Sequence, residues 1–503
     1  MNTVALDGHS LNLPNLIQIG KKKAMVSLAD EAREKVKAAR KLVDKIVADN
    51  QIVYGITTGF GQFADVAIPP AQVEQLQYNL IRSHSAGIGD FFSEDVARMI
   101  MALRANVLAK GRSGISVEVL ELLLAMINEG IYPLIPEKGS VGASGDLAPL
   151  AHLASVLIGE GQARYKDHEG SGNEILKEAG LSPCKLKAKE GLALINGTQV
   201  MTAVGAKSLD LALYLSDIAD IAGAMSLEAL KGTVTAFDDH IHQERPYKGQ
   251  LKCAENMRRL LVESEISASH KDCGKVQDSY TLRCIPQVHG PVRDTLEYAE
   301  KMLTIEMNAA TDNPMVFAEE GKLLSGGNFH GQSVAFLMDF LAIAVAELGN
   351  ISERRTERLV NPALSELPAF LVKEGGLNSG LMVSQVTAAA LVSENKVLCH
   401  PASIDSIPTS GNKEDHVSMG TISARKALEV VDNVEAILAV ELLAAAQALE
   451  FLKPLRPAKP LIPVVSKIRE HIPPWDEDRN MSADIRKMKK LIHERSLVDL
   501  TIK

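Results

Sequence analysis

Apolar residues recur at helical spacing along most of this 503-residue chain. In residues 93–128, Val96, Ile100 and Leu103 lie three or four positions apart, and the glycines of GRSG at 111–114 interrupt the pattern. Side chains with this spacing share one face of a helix. The stretch therefore predicts two amphipathic helices separated by a glycine break.

Longer segments with the same period dominate the chain after residue 200. They predict long helices at 200–231, 291–310, 331–359, 383–397 and 416–452. The segments 331–359 and 416–452 are apolar on more than one face, so these two helices must be buried on most sides. A bundle core would bury them, and so would packing against other copies of the chain.

The first 60 residues differ, because short strand-like pieces are mixed with one helix. The helix is SLADEAREKVKAARKLVDKIV, and Ser27 is its expected N-cap ahead of Glu31. Two glycine-rich stretches, YGITTGFGQF from Tyr54 and residues 131–145, predict loops. Loops held by a rigid scaffold are common places for catalytic residues.

The expected fold class is therefore mainly α, with a long-helix bundle core and a smaller mixed N-terminal region that carries a glycine-rich loop. We expect the N-terminal region to span 1–200 and the bundle with its C-terminal helical tail to span 201–503. The proline-rich KPLRPAKPLIPVV at 453–465 predicts a change of direction before that tail.

Composition narrows the range of functions. With 54 basic and 63 acidic residues the formal charge is −9, which argues against a nucleic-acid binder, since such proteins carry a basic surface. Five cysteines without a CxxC pair favour reduced thiols in a reducing compartment. The N-terminus lacks the pattern of a signal peptide, and no run of about 18 apolar residues lacks a charge. We therefore expect a cytoplasmic enzyme that binds neither nucleic acid nor membrane.

A metal site finds little support in the sequence. His240 and His242 form an H-x-H pair near Asp238 and Asp239, but no second group of ligands follows at a suitable spacing. We expect a solvated loop at this pair and no metal.

The most informative segment is GSVGASGDLAPLA at 139–151, in which glycines surround Ala143 and Ser144. It is not a phosphate-binding loop, because such a loop requires GK[ST] and here Asp146 follows Gly145. From the residues alone, this is a tight turn with an exposed serine.

The same segment resembles the active-site signature of the histidine and phenylalanine ammonia-lyase family, the aromatic amino acid lyases that depend on 4-methylidene-imidazol-5-one (MIO). The resemblance implies that the amide nitrogen of Gly145 attacks the carbonyl of Ala143 and that Ser144 then loses water. Glycine has no Cβ to block that approach. The product supplies a strong electrophile that no ordinary side chain offers.

Other segments resemble the family in order and spacing along nearly the whole chain. They are YGITTGFG with Tyr54, NLIRSHSAGIG with Ser83 and His84, LALINGTQ with Asn196, QDSYTLRCIPQVHG with Gln277, Tyr280 and Arg283, TDNP at 311–314, GGNFHGQ with Phe329 and His330, and SGNKEDHVSMG with Glu414 and His416.

The resemblance implies a role for several of these residues. Tyr54 is the candidate base, which requires nearby dipoles to stabilise its anion; a buried tyrosine that donates a hydrogen bond is the alternative. Arg283 is the candidate for the substrate carboxylate, since a guanidinium matches a carboxylate with two hydrogen bonds; a structural salt bridge is the alternative. Tyr280 and Asn196 would orient MIO and stabilise its enolate-like oxygen.

Gln277 and Phe329 would line the pocket, and the choice of substrate rests on Ser83, His84 and Glu414. The Ser-His pair resembles the histidine-specific members, and an imidazole ring needs a hydrogen-bond donor and acceptor at its two nitrogens. Glu414 is also an alternative base.

One departure from the family is Lys413, which stands where glutamine is usual. It would either lower the pKa of Glu414 or extend into solvent. His416 would point away from the site if a helix starts here, so we expect it to be structural.

The resemblance therefore implies the deamination of L-histidine to trans-urocanate and ammonia, the first step of histidine degradation. It also implies a homotetramer with active sites shared by three subunits. A tyrosine or phenylalanine ammonia-lyase, or an aminomutase, of the same family is the main alternative. A fumarase-type lyase would carry a GSSxMPxKxN loop, which is absent here. A helical scaffold without activity would have no reason to carry this set of loops.

Overall fold

The computed structural model describes residues 2–501 and confirms a mainly helical fold. In this part of the chain the α-helices are α1 Leu13–Gly20, α2 Asp30–Ala48, α3 Val73–His84, α4 Glu94–Ala109, α5 Val117–Glu129, α6 Leu147–Leu157, α7 Gly172–Glu178, α8 Glu190–Ile195, α9 Gln199–Ala229, α10 Asp239–Gln243, α11 Lys248–Leu260, α12 Glu265–Ser269, α13 Tyr280–Arg283, α14 Ile285–Met307, α15 Gln332–Val360, α16 Pro362–Ser365, α17 Met382–Leu398, α18 Gly420–Glu450, α19 Ile462–His471 and α20 Met481–His493.

The strands are short and form four small sheets among the described residues. They are β1 Asn2–Leu6, β2 Ala24–Leu28, β3 Ile88–Phe91, β4 Ile131–Pro133, β5 Pro136–Lys138, β6 Gln162–Tyr165, β7 His168–Ser171, β8 Met315–Phe317 and β9 Lys322–Leu324. The pair β1–β2 is parallel, and the pairings β3–β5, β4–β6–β7 and β8–β9 are antiparallel.

The chain forms two compact units, each built from three stretches. The first unit consists of Met1–Ser208, Glu300–Asp339 and Pro401–Arg425. The second consists of Leu209–Ala299, Phe340–His400 and Lys426–Lys503.

In the first unit, an apolar cluster anchors the loop that carries Tyr54. Helix α2 contributes Val43 and Ile46 to this cluster, and Val316 of β8 joins them. Ile56, two residues after Tyr54, is fully buried in it. Burial of such a side chain is worth about 1.5–3 kcal/mol, so the loop is fixed near its start.

In the second unit, buried polar pairs tie the long helices together. Glu441 of α18 accepts hydrogen bonds from Ser226 of α9 at 2.7 Å and from Nη2 of Arg355 of α15 at 2.9 Å. His289 of α14 donates to Asp220 of α9 at 2.7 Å. A buried charge that lost its partner would be strongly destabilising, so these pairs disfavour other helix registers.

Two local predictions are wrong. Ser27 does not cap α2: it lies in β2 opposite Ala5, because the alternating buried residues of β2 pair with β1 and delay the helix to Asp30. Helix α14 begins at Ile285 rather than at 291, with Pro291 inside it.

The extension of α14 is explained by close packing at Gly290. A Cβ at this position would lie 2.6 Å from backbone atoms of Gln250 in α11. Pro291 cannot donate a backbone hydrogen bond, which disfavours a helix at this point. The close packing of the two backbones at Gly290 offsets this cost, and α14 continues through the proline. The other long helices begin and end within four residues of their predicted bounds.

Helix α15 is long and apolar enough to cross a membrane by length and composition. However, 67% of its most apolar window is buried inside the protein, as in a core helix.

Candidate active site

Backbone hydrogen bonds hold the loop at 139–145 in a defined shape. The N–H of Asp146 donates to the carbonyl of Gly197 over 2.7 Å. On the other side, the N–H of Gly331 donates to the carbonyl of Gly142 over 3.1 Å. The loop is therefore held by segments that are distant from it in sequence.

The glycines of this loop are required by its geometry. Gly142 and Gly145 both have φ of +69°, a left-handed conformation that other residues rarely adopt. A Cβ on Gly145 would lie 2.1 Å from the carbonyl oxygen of Gly197. Two features therefore require glycine at position 145: the left-handed φ angle and the close approach of Gly197.

Asp146 lies buried directly after the loop and fixes its end. One carboxylate oxygen accepts the N–H groups of Val200 and Met201, each at 2.9 Å, at the start of α9. The other accepts the hydroxyl groups of Ser140 and Thr421. Burial raises the pKa of Asp146, and these hydrogen bonds oppose the rise. All the hydrogen bonds of Asp146 support the loop, and none reaches Ser144.

A cavity of about 520 Å³ opens over Ser144 and is lined by the first unit alone. It is large enough for an amino acid with one aromatic ring. It brings together the predicted residues Tyr54, His84, Ala143, Ser144, Asn196, Phe329 and Glu414. Sequence reasoning did not single out Phe60, Leu147 and Leu192, which add apolar wall, since an apolar residue that lines a cavity cannot be told from a core residue by its type.

Glu414 makes direct contact with Ser144. The hydroxyl of Ser144 donates to Oε1 of Glu414 over 2.7 Å. Oε2 accepts the hydroxyl groups of Thr409 at 2.6 Å and Ser410 at 2.9 Å. Burial alone would raise the pKa of Glu414, but the three hydroxyl donors outweigh it and hold the pKa below its usual value. Lys413 is exposed and is not among the causes of this shift.

His84 lies half-buried at the end of α3 with its tautomer determined by geometry. Its Nδ1 lies 2.8 Å from the carbonyl oxygen of Leu80. Because a carbonyl can only accept, Nδ1 carries the hydrogen and Nε2 of the neutral ring keeps its lone pair. Burial lowers the pKa of His84, which favours this neutral form. Ser83 is exposed and bonds to Leu80 and to His84.

Asn196 is held by a buried ion pair that sequence reasoning missed. Its Nδ2 donates to Oδ1 of Asp312 at 3.3 Å and to the carbonyl of Asn313 at 3.2 Å. The other oxygen of Asp312 lies 2.9 Å from Nζ of Lys189, and both side chains are buried. Oδ1 of Asn196 is buried and has no partner among residues 2–501. The TDNP segment, which contains Asp312, was noted in the sequence, but no role was assigned to this residue.

The condition stated for His416 is not met, because no helix starts at this residue: a 3₁₀ turn at Ser410–Asn412 ends before it and α18 begins at Gly420. Its ring lies parallel to that of His330, with 5.6 Å between the ring centres. Nε2 of His330 lies 3.2 Å from the carbonyl oxygen of His416. The pair packs the two loops that carry Phe329 and Glu414 against each other.

Gln277, Tyr280 and Arg283 belong to the second unit and do not line this cavity. The guanidinium of Arg283 lies over the ring of Tyr280, 4.5 Å from its centre. Nε of Arg283 is buried and has no hydrogen-bond partner among residues 2–501. Tyr280 is 70% exposed.

Two groups of residues have the types of metal ligands. The first was expected to lie in a solvated loop, and the second was not expected from the sequence. The residues His240 and His242 lie in α10 rather than in a loop, and His242 is buried against Ala236 and Gln250. In the second unit the structure groups Asp220, Cys253 and His289, which are far apart in sequence. Arg293 pairs with Asp220 there, so a hydrogen-bonded ionic network accounts for this group.

Comparisons with known proteins agree on one family. Residues 11–470 match the model of the family described as aromatic amino acid lyase. Histidine ammonia-lyase of Alkaliphilus oremlandii is 52% identical over 499 residues, which cover 99% of this chain and 98% of that protein. Histidine ammonia-lyase from Trypanosoma cruzi has a crystal structure with TM-score 0.93 and 50% identity, covering 99% and 95% of the two chains. The structure of a tyrosine aminomutase from Streptomyces globisporus has TM-score 0.94 and 40% identity, covering 99% and 98%.

Proposed function

The chain belongs to the aromatic amino acid lyase family and is a carbon–nitrogen lyase, and from this premise we propose that it removes ammonia from L-histidine to give trans-urocanate. The observation that carries the proposal is one cavity in which Ser144 lies together with His84 and Glu414. The reaction would open histidine degradation.

The turn at Ala143, Ser144 and Gly145 fits the formation of MIO. The left-handed φ of Gly145 and the absence of a Cβ beside Gly197 let the chain fold back on itself, as cyclisation requires. When formed, the group supplies an electrophile for the amino group of the substrate. The surrounding backbone bonds hold the turn before any chemistry occurs, which supports a reaction driven by the fold.

The substrate ring is recognised by His84 and Glu414. Nε2 of neutral His84 accepts the ring N–H of histidine, which a phenyl ring cannot donate. The ionised Glu414 is a second acceptor, and because a neutral imidazole donates at one nitrogen, Glu414 binds the ring only when both ring nitrogens carry a proton. Glu414 also keeps the alternative role of base. A pocket built for a hydrogen bond rejects a ring that lacks the matching donor, because its own polar groups are then left unpaired.

Tyr54 takes the β-proton in this proposal. It lines the cavity, and no hydrogen-bond partner of its hydroxyl is found within residues 2–501, so the alternative of a structural hydrogen-bond donor lacks support. Asn196 also lines the cavity; Asp312 and Asn313 engage its Nδ2, and its Oδ1 is the atom left without a partner among residues 2–501. Phe329 packs against the substrate ring.

A second copy of the chain completes the site. Arg283 is the candidate for the substrate carboxylate, with Gln277 and Tyr280 beside it, and none of the three lines the cavity of the same chain. Exposed apolar residues on α17, such as Val383 and Val386, support burial against other copies. We infer a homotetramer with shared sites.

The cytoplasm is the proposed location of this activity. None of the five cysteines forms a disulfide in residues 2–501, which fits a reducing compartment.

The proposed function is tested by ultraviolet absorption of the purified protein with L-histidine, L-tyrosine and L-phenylalanine in turn. We expect a conjugated acrylate to accumulate with histidine only, and Ser144→Ala to give none. Product from tyrosine or phenylalanine would reject the assignment of His84 and Glu414 but retain the family. A β-amino acid product would identify an aminomutase. No product from any substrate would reject the MIO assignment.

A further inference from the structure

Ser144 and Glu414 are joined by a hydrogen bond before the tripeptide is processed. The two residues lie 270 positions apart, and the oxygen atoms Oγ and Oε1 are 2.7 Å apart. Substrate recognition does not explain this bond, because the hydroxyl of Ser144 is lost when the electrophile forms. The contact therefore belongs to the unprocessed chain and points to a role in its processing.

We propose that Glu414 carries the proton in the dehydration of Ser144, as a catalytic residue of maturation in addition to its place in the substrate pocket. The inference rests on the proposed function, since it requires that the tripeptide is processed.

The step balances without any further reagent. The amide nitrogen of Gly145 first bonds to the carbonyl carbon of Ala143. The C–O bond of that carbonyl breaks, and its oxygen leaves as the first water with the protons of the Gly145 and Ser144 amide nitrogens, so that a C=N bond forms between Ala143 and Ser144. The carboxylate of Glu414 then takes the proton from Cα of Ser144, and the electron pair of that C–H bond forms the Cα=Cβ double bond. The Cβ–Oγ bond breaks, and the same proton passes from Glu414 to Oγ, which leaves as the second water. Glu414 returns to its ionised state.

The carboxylate is held beside Oγ of Ser144, the atom that receives the proton in the second half of this transfer. Oε1 faces Oγ of Ser144, and the hydroxyl groups of Thr409 and Ser410 hold Oε2. In addition, the N–H of Thr409 donates to the backbone carbonyl of Glu414 over 2.9 Å, which closes the loop around the carboxylate. A positioned acid–base group of this kind typically accelerates proton transfer about 10²–10⁴-fold.

Other acids and bases near the loop are less suited to this step. Both carboxylate oxygens of Asp146 are engaged by Ser140, Thr421 and backbone N–H groups. Among the hydrogen bonds of the described residues, Glu414 is the carboxylate that touches Ser144. The pKa of Glu414 lies below its usual value, so the group is ionised and able to accept a proton at neutral pH.

The test follows newly synthesised full-length chain by intact mass over time, together with its ultraviolet difference absorption. The wild type is compared with Glu414→Gln and with Thr409→Val, which keeps the carboxylate but removes one of the two hydroxyl groups that hold Oε2. The matched control is Asp415→Asn, which removes an exposed carboxylate that lines the same cavity but makes no hydrogen bond to Ser144 within residues 2–501. Circular dichroism checks that each variant folds.

We expect the wild type and Asp415→Asn to lose two waters at the same rate. Glu414→Gln should lose the first water normally and the second about 100-fold more slowly or worse, with absorption delayed to match. Thr409→Val should slow the second loss by a smaller factor. Loss of the second water from folded Glu414→Gln at the wild-type rate would overturn the inference and leave the proposed function intact.

The remaining outcomes are also decisive. A folded Glu414→Gln chain that loses neither water contradicts this role, because the first loss does not use Glu414. If Glu414→Gln fails to fold, Thr409→Val decides, and a wild-type rate of its second loss rejects the inference. A wild-type chain that retains both waters would reject the proposed function as well.

Discussion

The side-chain amide of Asn196 donates to Oδ1 of Asp312 over 3.3 Å, so a buried carboxylate orients part of the cavity wall. The same carboxylate neutralises Lys189, whose Nζ lies 2.9 Å away at full burial. Asp312 thus links the stability of the first unit to the position of a substrate-facing group, and the two effects can be separated by mutation.

Asp312→Leu is expected to lower the free energy of unfolding by about 3 kcal/mol, because it leaves Lys189 buried without an opposite charge. It should also lower kcat/KM, since leucine has no oxygen to accept the hydrogen bond of Asn196. Urea unfolding and steady-state kinetics measure the two effects. The double variant Lys189→Met, Asp312→Leu should recover stability but not activity; recovery of both would show that Asp312 has no positioning role.

Gly145→Ala is expected to abolish both water losses and activity. The new Cβ would meet the carbonyl oxygen of Gly197 at 2.1 Å. Gly180→Ala is the matched control, because Gly180 also has positive φ, +74°, but nothing lies within 4 Å of its added Cβ. The control should mature normally and lose only about 1 kcal/mol of stability from backbone strain. Normal maturation of Gly145→Ala in intact-mass spectra would contradict the proposed cyclisation.

His84→Phe is expected to raise KM for histidine about tenfold, the equivalent of one hydrogen bond of about 1.4 kcal/mol. Its preference for histidine over phenylalanine should fall, since the ring acceptor is gone and an apolar surface replaces it. Ser83→Ala, which removes a hydroxyl bonded to the same backbone carbonyl, should have a smaller effect. An unchanged KM for histidine in His84→Phe would remove this residue from the recognition of the ring.

Acid is expected to destabilise the second unit through His289 and Asp220. Burial lowers the pKa of His289, so below its ordinary value of 6.5 the unfolded chain binds a proton that the folded chain does not. The free energy of unfolding then falls as pH decreases, by up to about 1.4 kcal/mol per pH unit for one group. Burial would raise the pKa of Asp220, but Arg293 and His289 hold this pKa well below its usual value. The free energy of unfolding therefore continues to fall at lower pH, where Asp220 becomes protonated in the unfolded chain first.

Urea unfolding between neutral pH and pH 5, about 1.5 units below the ordinary value for histidine, measures this slope. His289→Asn is the control, because an amide can still donate to Asp220 but does not titrate. A slope that is unchanged in this variant would assign the acid sensitivity to another group.

Two inactive variants are expected to complement each other. Ser144→Ala lacks the electrophile and Arg283→Ala lacks the candidate carboxylate ligand, which lies outside the cavity of its own chain. Mixed oligomers produced by co-expression should contain sites that are intact, because each site would draw Ser144 and Arg283 from different chains. Activity no higher than that of either variant alone would contradict a shared site.

The turn of the active-site loop was predictable because its glycines are visible in the sequence, and glycine readily adopts the left-handed φ found at Gly142 and Gly145. The close approach of Gly197 to Gly145 was not predictable, because it joins distant segments. The long helices were predictable for a similar reason, since their period is visible in any short window.

The contacts that complete the site were not predictable, because they join distant segments. The bond of Glu414 to Ser144 spans 270 residues, and Lys189 meets Asp312 across 123. Local rules failed where tertiary packing opposed them. Ser27 has the residue type of an N-cap but pairs within a sheet, and Pro291 lies inside a helix that a neighbouring backbone contact favours.

The hydrogen bond between Ser144 and Glu414 also affects when the enzyme can first bind its substrate. In the immature chain, Oε1 of Glu414 is already occupied by the hydroxyl of Ser144. In the proposed maturation that oxygen leaves as water, and the same carboxylate oxygen becomes free to accept a hydrogen bond from the substrate. The capacity to bind would then be gained together with the capacity to react, so an unprocessed chain would not hold histidine that it cannot convert.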